Sequence, residues 1–491
     1  MTPFFYWFLA LLALEVLSAL TIFHAQAQTV VLVVVSLVMF CLAWRRPTIA
    51  VGLLLSEYVI GSKGALLRGW GDGLGHGGLP LRMAWFGAFF LGWLVWAIQN
   101  KTYLGWKGYL KGRSIYVALG CVLVYAFLRG MVLQNVFVFA DANAWGTWLL
   151  LLPALDLATH RKEELKRIVP SALLAAFSWL CLKTLVLFYL FTHLTNPAWV
   201  EAIYLWVRRT GVGEMTRALE GTNAWRVFFQ SHVFLLPVVI GGVWYAAFHA
   251  KLSRWFWVVW IGGCATLIVS LSRSLFLGAI AGLLASIVSI IFRNDRGWVP
   301  AFAGMTEVYK VASRLFLVAF AALLLVAGLF YAPPRSSGSL MNLLVARTNT
   351  GDAASMSRWK LLPILFEGVM RHPVLGSGFG ATVTYRSSDP RVVAQTGGLY
   401  TTYAFEWGWV DHWFKFGIMG IPLLLALVLR LGANSWRSPI DGWLRGALVC
   451  SLVGLVVTHV FTPYLNHPLG IAMLISLEAV PLLFNPPPPH E

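Results

Sequence analysis

The residues whose types suit chemistry are concentrated in one polar stretch, about 335–412, which precedes an apolar segment at 413–431. A histidine has an unperturbed pKa near 6.5 and can take a proton at neutral pH, whereas arginine binds phosphate or carboxylate through paired hydrogen bonds. A polar connection of roughly eighty residues in an otherwise apolar chain is a predicted place of function. Its candidate side chains are Arg347, Arg358, Glu406, Asp411 and His412.

Two more arginines stand at the edges of apolar segments. Arg273 lies between Ser272 and Ser274 with an apolar run on each side, and Arg226 ends a second polar stretch. A guanidinium between two such helices has little access to water and favours a bidentate anionic partner. The alternative is that Arg273 extends towards lipid headgroups. The serines either satisfy backbone groups or share the ligand.

Composition assigns the chain to the membrane class. Hydrophobic residues make up 59% of the 491 residues and charged residues only 12%, which predicts an all-α, polytopic transmembrane bundle. The net charge of +17 comes mostly from basic residues at the ends of apolar runs, so nucleic acid is a poor prediction for a partner. The five cysteines show no CxxC spacing, and no metal site or cofactor is predicted.

Apolar windows long enough to cross about 30 Å of hydrocarbon predict about fourteen spans, with twelve to fourteen plausible. The third and sixth windows are short. The predicted spans are 4–23, 29–44, 48–61, 80–98, 114–132, 144–158, 169–193, 227–248, 254–271, 274–292, 313–332, 413–431, 444–461 and 466–484.

The distribution of Lys and Arg predicts the orientation. Short connections on the side of the N-terminus carry most of the basic residues, which indicates that this side is cytoplasmic. We therefore expect a single membrane domain, 1–491, with a large periplasmic loop at 332–412 and a dispensable cytoplasmic insert at 293–312. Inside the large loop, apolar residues at helical spacing in 359–370 predict a surface helix.

The C-terminal half, from about 220 to 431, resembles the O-antigen ligase and polymerase family of bacterial membrane glycosyltransferases. The features that carry the resemblance are Ser272-Arg273-Ser274, Arg358-Trp359, the run His372-Pro373-Val374-Leu375-Gly376-Ser377-Gly378-Phe379-Gly380, and His412 ahead of Phe416-Gly417-Ile418-Met419-Gly420. His412 is followed by Trp413, where the family usually has Asn or Ser.

The resemblance implies an inner-membrane enzyme whose active site faces the periplasm and which requires neither a nucleotide sugar nor a metal. Its donor would be a glycan linked to undecaprenyl pyrophosphate, and its acceptor lipid A-core or another glycan. By position, Arg273 and Arg226 match the family's two arginines and His412 its histidine. The resemblance therefore implies that the arginines stabilise the departing pyrophosphate and that His412 receives the acceptor proton. Further expected substrate contacts are Arg358, Arg347, Glu406, Asp411, Ser272 and Ser274. The alternative role of Arg358 is to stabilise the loop, and that of Asp411 and Glu406 is to orient or replace His412.

Three functions stay open on the sequence. A ligase and a repeat-unit polymerase share these motifs. A lipid-oligosaccharide flippase or another transporter would also need many spans and a basic outer face. The chain shows no clear internal repeat and few ionisable residues at mid-membrane apart from Glu15 and Lys183, which favours an enzyme over a transporter.

Overall fold

The computed structural model describes residues 3–71, 77–194, 198–217, 225–292, 301–333, 338–346, 353–388 and 390–484. Most of them are helical. The helices are α1 (Pro3–Thr21), α2 (Ala25–Arg45), α3 (Pro47–Ile60), α4 (Leu81–Gln99), α5 (Trp106–Leu110), α6 (Ser114–Val132), α7 (Val138–Ala142), α8 (Leu151–His160), α9 (Lys162–His193), α10 (Ala198–Thr210), α11 (Leu235–Phe248), α12 (Arg254–Ser270), α13 (Arg273–Ile291), α14 (Ala301–Tyr331), α15 (Leu340–Ala346), α16 (Ala353–Arg371), α17 (Pro390–Thr396), α18 (Gly408–Phe416), α19 (Gly420–Arg437), α20 (Gly442–Phe461) and α21 (Pro468–Phe484). Short 3₁₀ segments are Thr102–Gly105, Asn143–Leu150, Gln230–Phe234, Gly417–Met419 and Tyr464–Asn466.

The prediction of a helical multi-pass membrane protein is confirmed. Within the described ranges, 11 helical segments are long and apolar enough to cross a membrane. Three shorter apolar helices, α3, α12 and α21, have 14, 17 and 17 residues and coincide with predicted windows. An apolar helix is stable in hydrocarbon because every backbone N–H and C=O is paired within it. The total of fourteen spans stays a prediction.

Besides the helices, which the sequence predicted, the structure contains short antiparallel strands, which it did not. Within the described residues they form three two-stranded hairpins, all in polar connections: β1 (Arg68–Gly69) with β2 (Leu79–Pro80), β3 (Glu214–Arg217) with β4 (Trp225–Phe228), and β5 (Val383–Arg386) with β6 (Leu399–Thr402). Along β5 buried and exposed side chains alternate, which is the period of a half-buried strand. Away from the apolar windows, the chain satisfies backbone groups by pairing strands.

The polar connections that contain these hairpins meet at one end of the bundle, which we call the loop end. The backbone N–H of Gln230 donates to the Ser62 hydroxyl at 2.9 Å, and the Tyr464 hydroxyl donates to the Gln230 carbonyl at 2.9 Å. Arg82 forms a buried ion pair with Glu57 at 2.8 Å. These contacts join the connections after α3, before α11 and after α20.

The opposite end of the bundle has its own polar cluster around one buried carboxylate. Glu478 accepts from Arg113 at 2.7 Å, from the Tyr116 hydroxyl at 2.9 Å and from Arg430 at 3.1 Å. Because its side chain is only 3% exposed, the two guanidinium groups supply the charge and hydrogen bonds that a buried carboxylate requires. The cluster ties α6, α19 and α21 together.

Two predicted segments differ from the observed helices. The twelfth window begins at 413, but its helix begins earlier, at Gly408, and breaks at Gly417, whose φ of 70° and ψ of −164° form a conformation open essentially only to glycine. The sixth window, 144–158, is divided between the 3₁₀ segment Asn143–Leu150 and α8, with the short helix α7 just before it. Of the predicted insert 293–312, residues 301–312 belong to α14, and residues 293–300 lie outside the described ranges.

The large polar connection between α14 and α18 has a small core of its own. Leu361, Leu365 and Val369 lie on one face of α16 and are at most 2% exposed, which confirms the helix predicted at 359–370. They pack with Val383 of β5 and Phe414 of α18 in one apolar cluster. The loop is thus anchored to the helix that carries His412.

Candidate active site

The structure brings the two predicted arginines to the same turn. Arg226 lies on β4 opposite Thr216 of β3, and its Nε donates to the Ser270 carbonyl at 2.9 Å. Ser270 is the last residue of α12, and Arg273 is the first residue of α13. The hairpin therefore delivers Arg226 to the α12–α13 turn, although the two arginines are 47 positions apart in the chain.

The α12–α13 turn has an unusual backbone. Leu271 adopts φ 47° and ψ 33°, a left-handed conformation that costs a non-glycine residue about 1–2 kcal/mol. Ser272, the N-cap of α13, makes no side-chain cap to the helix. The N-terminus of a helix carries a partial positive charge, and a basic side chain there is unfavourable by about 0.3–1 kcal/mol. Arg273 places its guanidinium group at this end of α13.

The two serines beside Arg273 are buried and bonded to neighbours. Their hydroxyls lie 3.3 Å apart, and each residue is 5% exposed. Ser274 also accepts a hydrogen bond from Thr462, at the end of α20, at 2.8 Å. The serines therefore join α13 to α20, and their contacts in this structure support the turn.

Arg358 and Glu406, predicted substrate contacts, pair with each other. The guanidinium of Arg358 donates two hydrogen bonds to the Glu406 carboxylate, and the Arg358 carbonyl accepts from the Trp407 indole at 3.0 Å. The pair joins the start of α16 to the segment before α18. Its side chains are 33% and 49% exposed, so we expect a contribution of at most about 1 kcal/mol. Arg347 lies outside the described residues.

His412 lies one turn inside α18, whereas the sequence placed it at the boundary before the helix. Its Nδ1 is 2.8 Å from the Gly408 carbonyl. Because that oxygen can only accept, the contact assigns the proton to Nδ1 and leaves Nε2 as the acceptor atom. The residue is 1% exposed, and Nε2 has no hydrogen-bond partner among the described residues.

Asp411 belongs to a buried ionic cluster that sequence analysis missed. Lys415 Nζ lies 2.7 Å from Asp141 and 2.9 Å from Asp411. Asp141 also accepts the Gly380 backbone N–H at 2.9 Å, and Asn466 donates to Asp411. The cluster, which we call the lysine triad (Asp141, Asp411, Lys415), ties α7 to α18. The spacing of four residues between Asp411 and Lys415 was the available signal.

The glycine run in the resemblance has a structural role here. The backbone N–H groups of Ser377 and Gly378 donate to the last carbonyls of α18 at 2.7 and 3.0 Å, which satisfies the end of that helix. A Cβ on Gly378, whose φ is 73°, would lie 2.5 Å from the Gly130 nitrogen of α6. Only glycine allows this close approach. The run is wedged between α6 and α18 and fixes the helix that carries His412.

The end of α20 connects the arginines to the histidine. Thr462 bonds to Ser274 beside Arg273, and His459, one turn earlier, packs against His412 with ring centroids 5.0 Å apart. The Asn466 contact to Asp411 continues the connection. The segment 459–466 thus contacts both Ser274, the chain neighbour of Arg273, and His412.

Burial shifts the pKa values of two titratable groups in the 462–467 connection. The pKa of His467 is lowered to about 3 by burial, assisted by the positive charges of Arg82 and Lys63. Burial, together with the nearby Glu214 carboxylate, raises the pKa of the Tyr464 phenol well above its usual value. His467 is therefore a neutral imidazole beside the cations Arg82 and Lys63, and Tyr464 is a neutral phenol.

His232 is a core residue. It is fully buried, accepts from the Phe229 backbone N–H at 3.3 Å and contacts the Thr184 hydroxyl at 3.1 Å. Within the described residues, no group of three or more His, Cys, Asp or Glu side chains is arranged to hold a metal ion.

The chain matches no protein-family model and no curated protein.

Proposed function

We propose that this protein is a membrane glycosyltransferase that moves a glycan from undecaprenyl pyrophosphate to an acceptor sugar, in the manner of an O-antigen ligase with lipid A-core as acceptor. The observation that carries the proposal is the hydrogen bond between Arg226 and the Ser270 carbonyl at 2.9 Å. It brings a second arginine to the turn at which Arg273 begins α13. Two guanidinium groups beside a helix N-terminus suit a pyrophosphate.

In the proposed reaction, an acceptor hydroxyl oxygen attacks the anomeric carbon of the donor sugar. The bond between that carbon and the pyrophosphate oxygen breaks, and its electron pair leaves with undecaprenyl pyrophosphate. Arg226 and Arg273 stabilise the negative charge that develops on the leaving oxygen, an effect that is strong where water is scarce. His412 Nε2 takes the hydroxyl proton.

The proposed location is the bacterial inner membrane, with the loop end in the periplasm. The partners are the lipid-linked donor, the glycan acceptor and membrane lipid. No cofactor is part of the proposal. Four of the other expected contacts have a structural role in this proposal. The hydrogen bonds of Ser272 and Ser274, and the pairing of Arg358 with Glu406, hold the chain segments that lie near the substrate in place.

The test exploits the difference between charge and shape at Arg273. Purified protein is assayed for transfer from a lipid-linked donor, with chelator present, for wild type, Arg273→Ala and Arg273→Lys. A bidentate hydrogen bond to an anion contributes about 1.5–3 kcal/mol, so both variants should lose roughly 10- to 150-fold in rate. Lysine retains the charge without the planar fork.

The matched control is Arg386→Lys, because Arg386 is an exposed arginine of β5 and is not part of the α12–α13 turn. Its transfer rate should stay within about twofold of wild type. Full activity of Arg273→Lys would show that Arg273 reaches lipid headgroups and does not bind pyrophosphate. Arg226→Ala should weaken donor binding and rate together, because its contact with pyrophosphate exists before and during bond cleavage.

A polymerase of repeat units is the second candidate, since the motifs of the resemblance are common to both activities. Deletion in the native host separates them. Loss of long chains from lipid A-core, with long lipid-linked chains retained, identifies a ligase. If only single repeats remain, the protein is a polymerase. Accumulation of donor on the cytoplasmic face would instead indicate a flippase.

A further inference from the structure

A second histidine lies against His412 and has not been given a role. His459 is in the last turn of α20 and is fully buried. The two imidazole rings meet edge to face, with centroids 5.0 Å apart and an angle of 79° between planes. Trp409, which is half-buried, packs on both rings at 5.2 and 6.4 Å.

The hydrogen bonds on the far side of each ring assign its proton. His459 Nδ1 lies 3.1 Å from the Leu465 backbone N–H, which can only donate, so Nδ1 is the acceptor and Nε2 carries the proton. His412 has the reverse arrangement, because its Nδ1 donates to the Gly408 carbonyl. The pair therefore presents one N–H donor and one nitrogen lone pair.

Both Nε2 atoms are buried, and neither makes a hydrogen bond of good geometry to the described residues; the Gly408 backbone lies beside His459 Nε2. Leaving a buried polar atom unpaired costs about 1–3 kcal/mol, and such atoms in a native fold indicate a ligand or a catalytic role. A metal is a poor match, because the Leu465 contact keeps the proton on the His459 nitrogen that would have to bind it. A hydroxyl group matches both atoms, since it donates one hydrogen bond and accepts others.

We propose that His459 and His412 together form the binding site for the acceptor hydroxyl, with His459 Nε2–H donating to its oxygen and His412 Nε2 accepting its proton. This inference rests on the proposed glycosyl transfer. One oxygen lone pair takes the bond from His459, the other attacks the anomeric carbon, and the proton passes to His412. His459 thereby orients the nucleophile.

Two substitutions separate the two nitrogens of His459. Asparagine places an oxygen near the position of Nδ1, so His459→Asn keeps an acceptor for the Leu465 N–H and loses the donor at Nε2. Glutamine reaches the position of Nε2 with an N–H group, so His459→Gln keeps the donor and loses the internal acceptor. If His459 only supports the fold, Asn is the milder change; if it holds the hydroxyl, Gln is.

The experiment measures transfer by purified full-length protein at varied acceptor concentration, a donor-binding titration and thermal unfolding for each variant. We expect His459→Asn to lose about 10- to 100-fold in kcat/KM for the acceptor, with donor Kd and unfolding temperature near wild type. His459→Gln should keep transfer within about fivefold of wild type and unfold at a lower temperature. His372→Asn, in an exposed histidine of the loop, is the control and should match wild type.

The reverse order, with His459→Gln inactive and His459→Asn active, would overturn the assignment of the hydroxyl to this pair. Equal activity of both variants with wild type would overturn it as well, as would losses of activity that only follow losses of folded protein. If the wild-type protein transfers no glycan from the lipid-linked donor, the proposed function itself fails and this inference fails with it. Active wild type separates the two failures.

Discussion

Replacing Lys415 by methionine tests the lysine triad, which holds α18 and therefore His412 in place. Lys415 Nζ is 2.7 Å from Asp141 and 2.9 Å from Asp411, and the three side chains are between 1% and 9% exposed. Methionine has a similar length and fills the same space without the charge. The change leaves two buried carboxylates close together without their shared cation.

The size of the effect can be worked from the distances. At an effective dielectric constant of 20, unit charges less than 3 Å apart attract by about 6 kcal/mol for each pair, and desolvation of the ions removes much of this gain. Measured losses of one partner from a buried ion pair are about 3–5 kcal/mol. Because Lys415 pairs with two carboxylates, we expect Lys415→Met to lower the free energy of unfolding by about 5 kcal/mol. This loss is comparable to the whole stability of many domains.

Removing all three charges provides the rescue. In the variant Asp141→Asn/Asp411→Asn/Lys415→Met, the asparagine at 141 retains an oxygen for the Gly380 backbone N–H. A buried ionic cluster can often be replaced by neutral groups of similar volume at little loss. The triple variant should therefore recover to within about 2 kcal/mol of wild type. Lys360→Met, in an exposed lysine of α16 whose ammonium donates a hydrogen bond to the Ser388 hydroxyl at 2.6 Å, is the control and should change stability by less than about 1 kcal/mol.

The assay is unfolding of detergent-purified protein followed by tryptophan fluorescence, together with the yield of folded protein from membranes. Low yield and a lowered midpoint for Lys415→Met, with recovery in the triple variant, fit the electrostatic argument. A triple variant as unstable as Lys415→Met would refute it and indicate that packing of the lysine stem is what matters. A stable Lys415→Met would refute it more directly.

Four further predictions concern other parts of the site. Gly380→Ala should lower stability by more than about 2 kcal/mol, because φ is 74° and the new Cβ would lie 2.2 Å from backbone of α7; faster proteolysis of the loop is the measure. A double-mutant cycle on Arg358→Ala and Glu406→Ala should give a coupling below about 1 kcal/mol, since the pair is partly exposed; a larger value would mean a shielded pair. His467→Gln should weaken the loss of stability on acidification from pH 6.5 towards pH 3, because with its pKa lowered to about 3 the folded imidazole stays neutral while the unfolded one takes a proton. Unfolding midpoints at several pH values test this, and an unchanged pH slope would contradict it. A cysteine introduced at exposed His372 should react with an impermeant maleimide added to the periplasmic side; labelling only after lysis would reverse the predicted orientation.

Much of the fold follows from properties that are local in sequence. A run of about twenty apolar residues has one stable form in hydrocarbon, a helix, whatever its neighbours are. The helix α16 followed from Leu361, Leu365 and Val369 at helical spacing in the same way. The candidate arginines were found because charge is rare in such a chain. All of these inferences use only the composition and period of a short segment.

Contacts between distant residues were decided by the tertiary structure. The sequence predicted Arg358 and Glu406 as substrate contacts, and that prediction stays open; their pairing with each other across 48 positions was decided by folding. The triad partners Lys415 and Asp141 are 274 positions apart, and no pattern in either segment indicates the other. The loop hairpins were missed because strands of four residues are too short to show a clear period.

The chain by itself determined that this is a helical membrane protein and which few polar residues stand at its helix ends. Which of those residues meet was decided only when the bundle closed. Arg226 reaches the α12–α13 turn through the β3–β4 hairpin, and His412 reaches His459 through packing of α18 on α20. Both contacts depend on side-chain shape over long sequence separations. Apolar periodicity is a property of one segment, whereas a site is a property of several segments packed together.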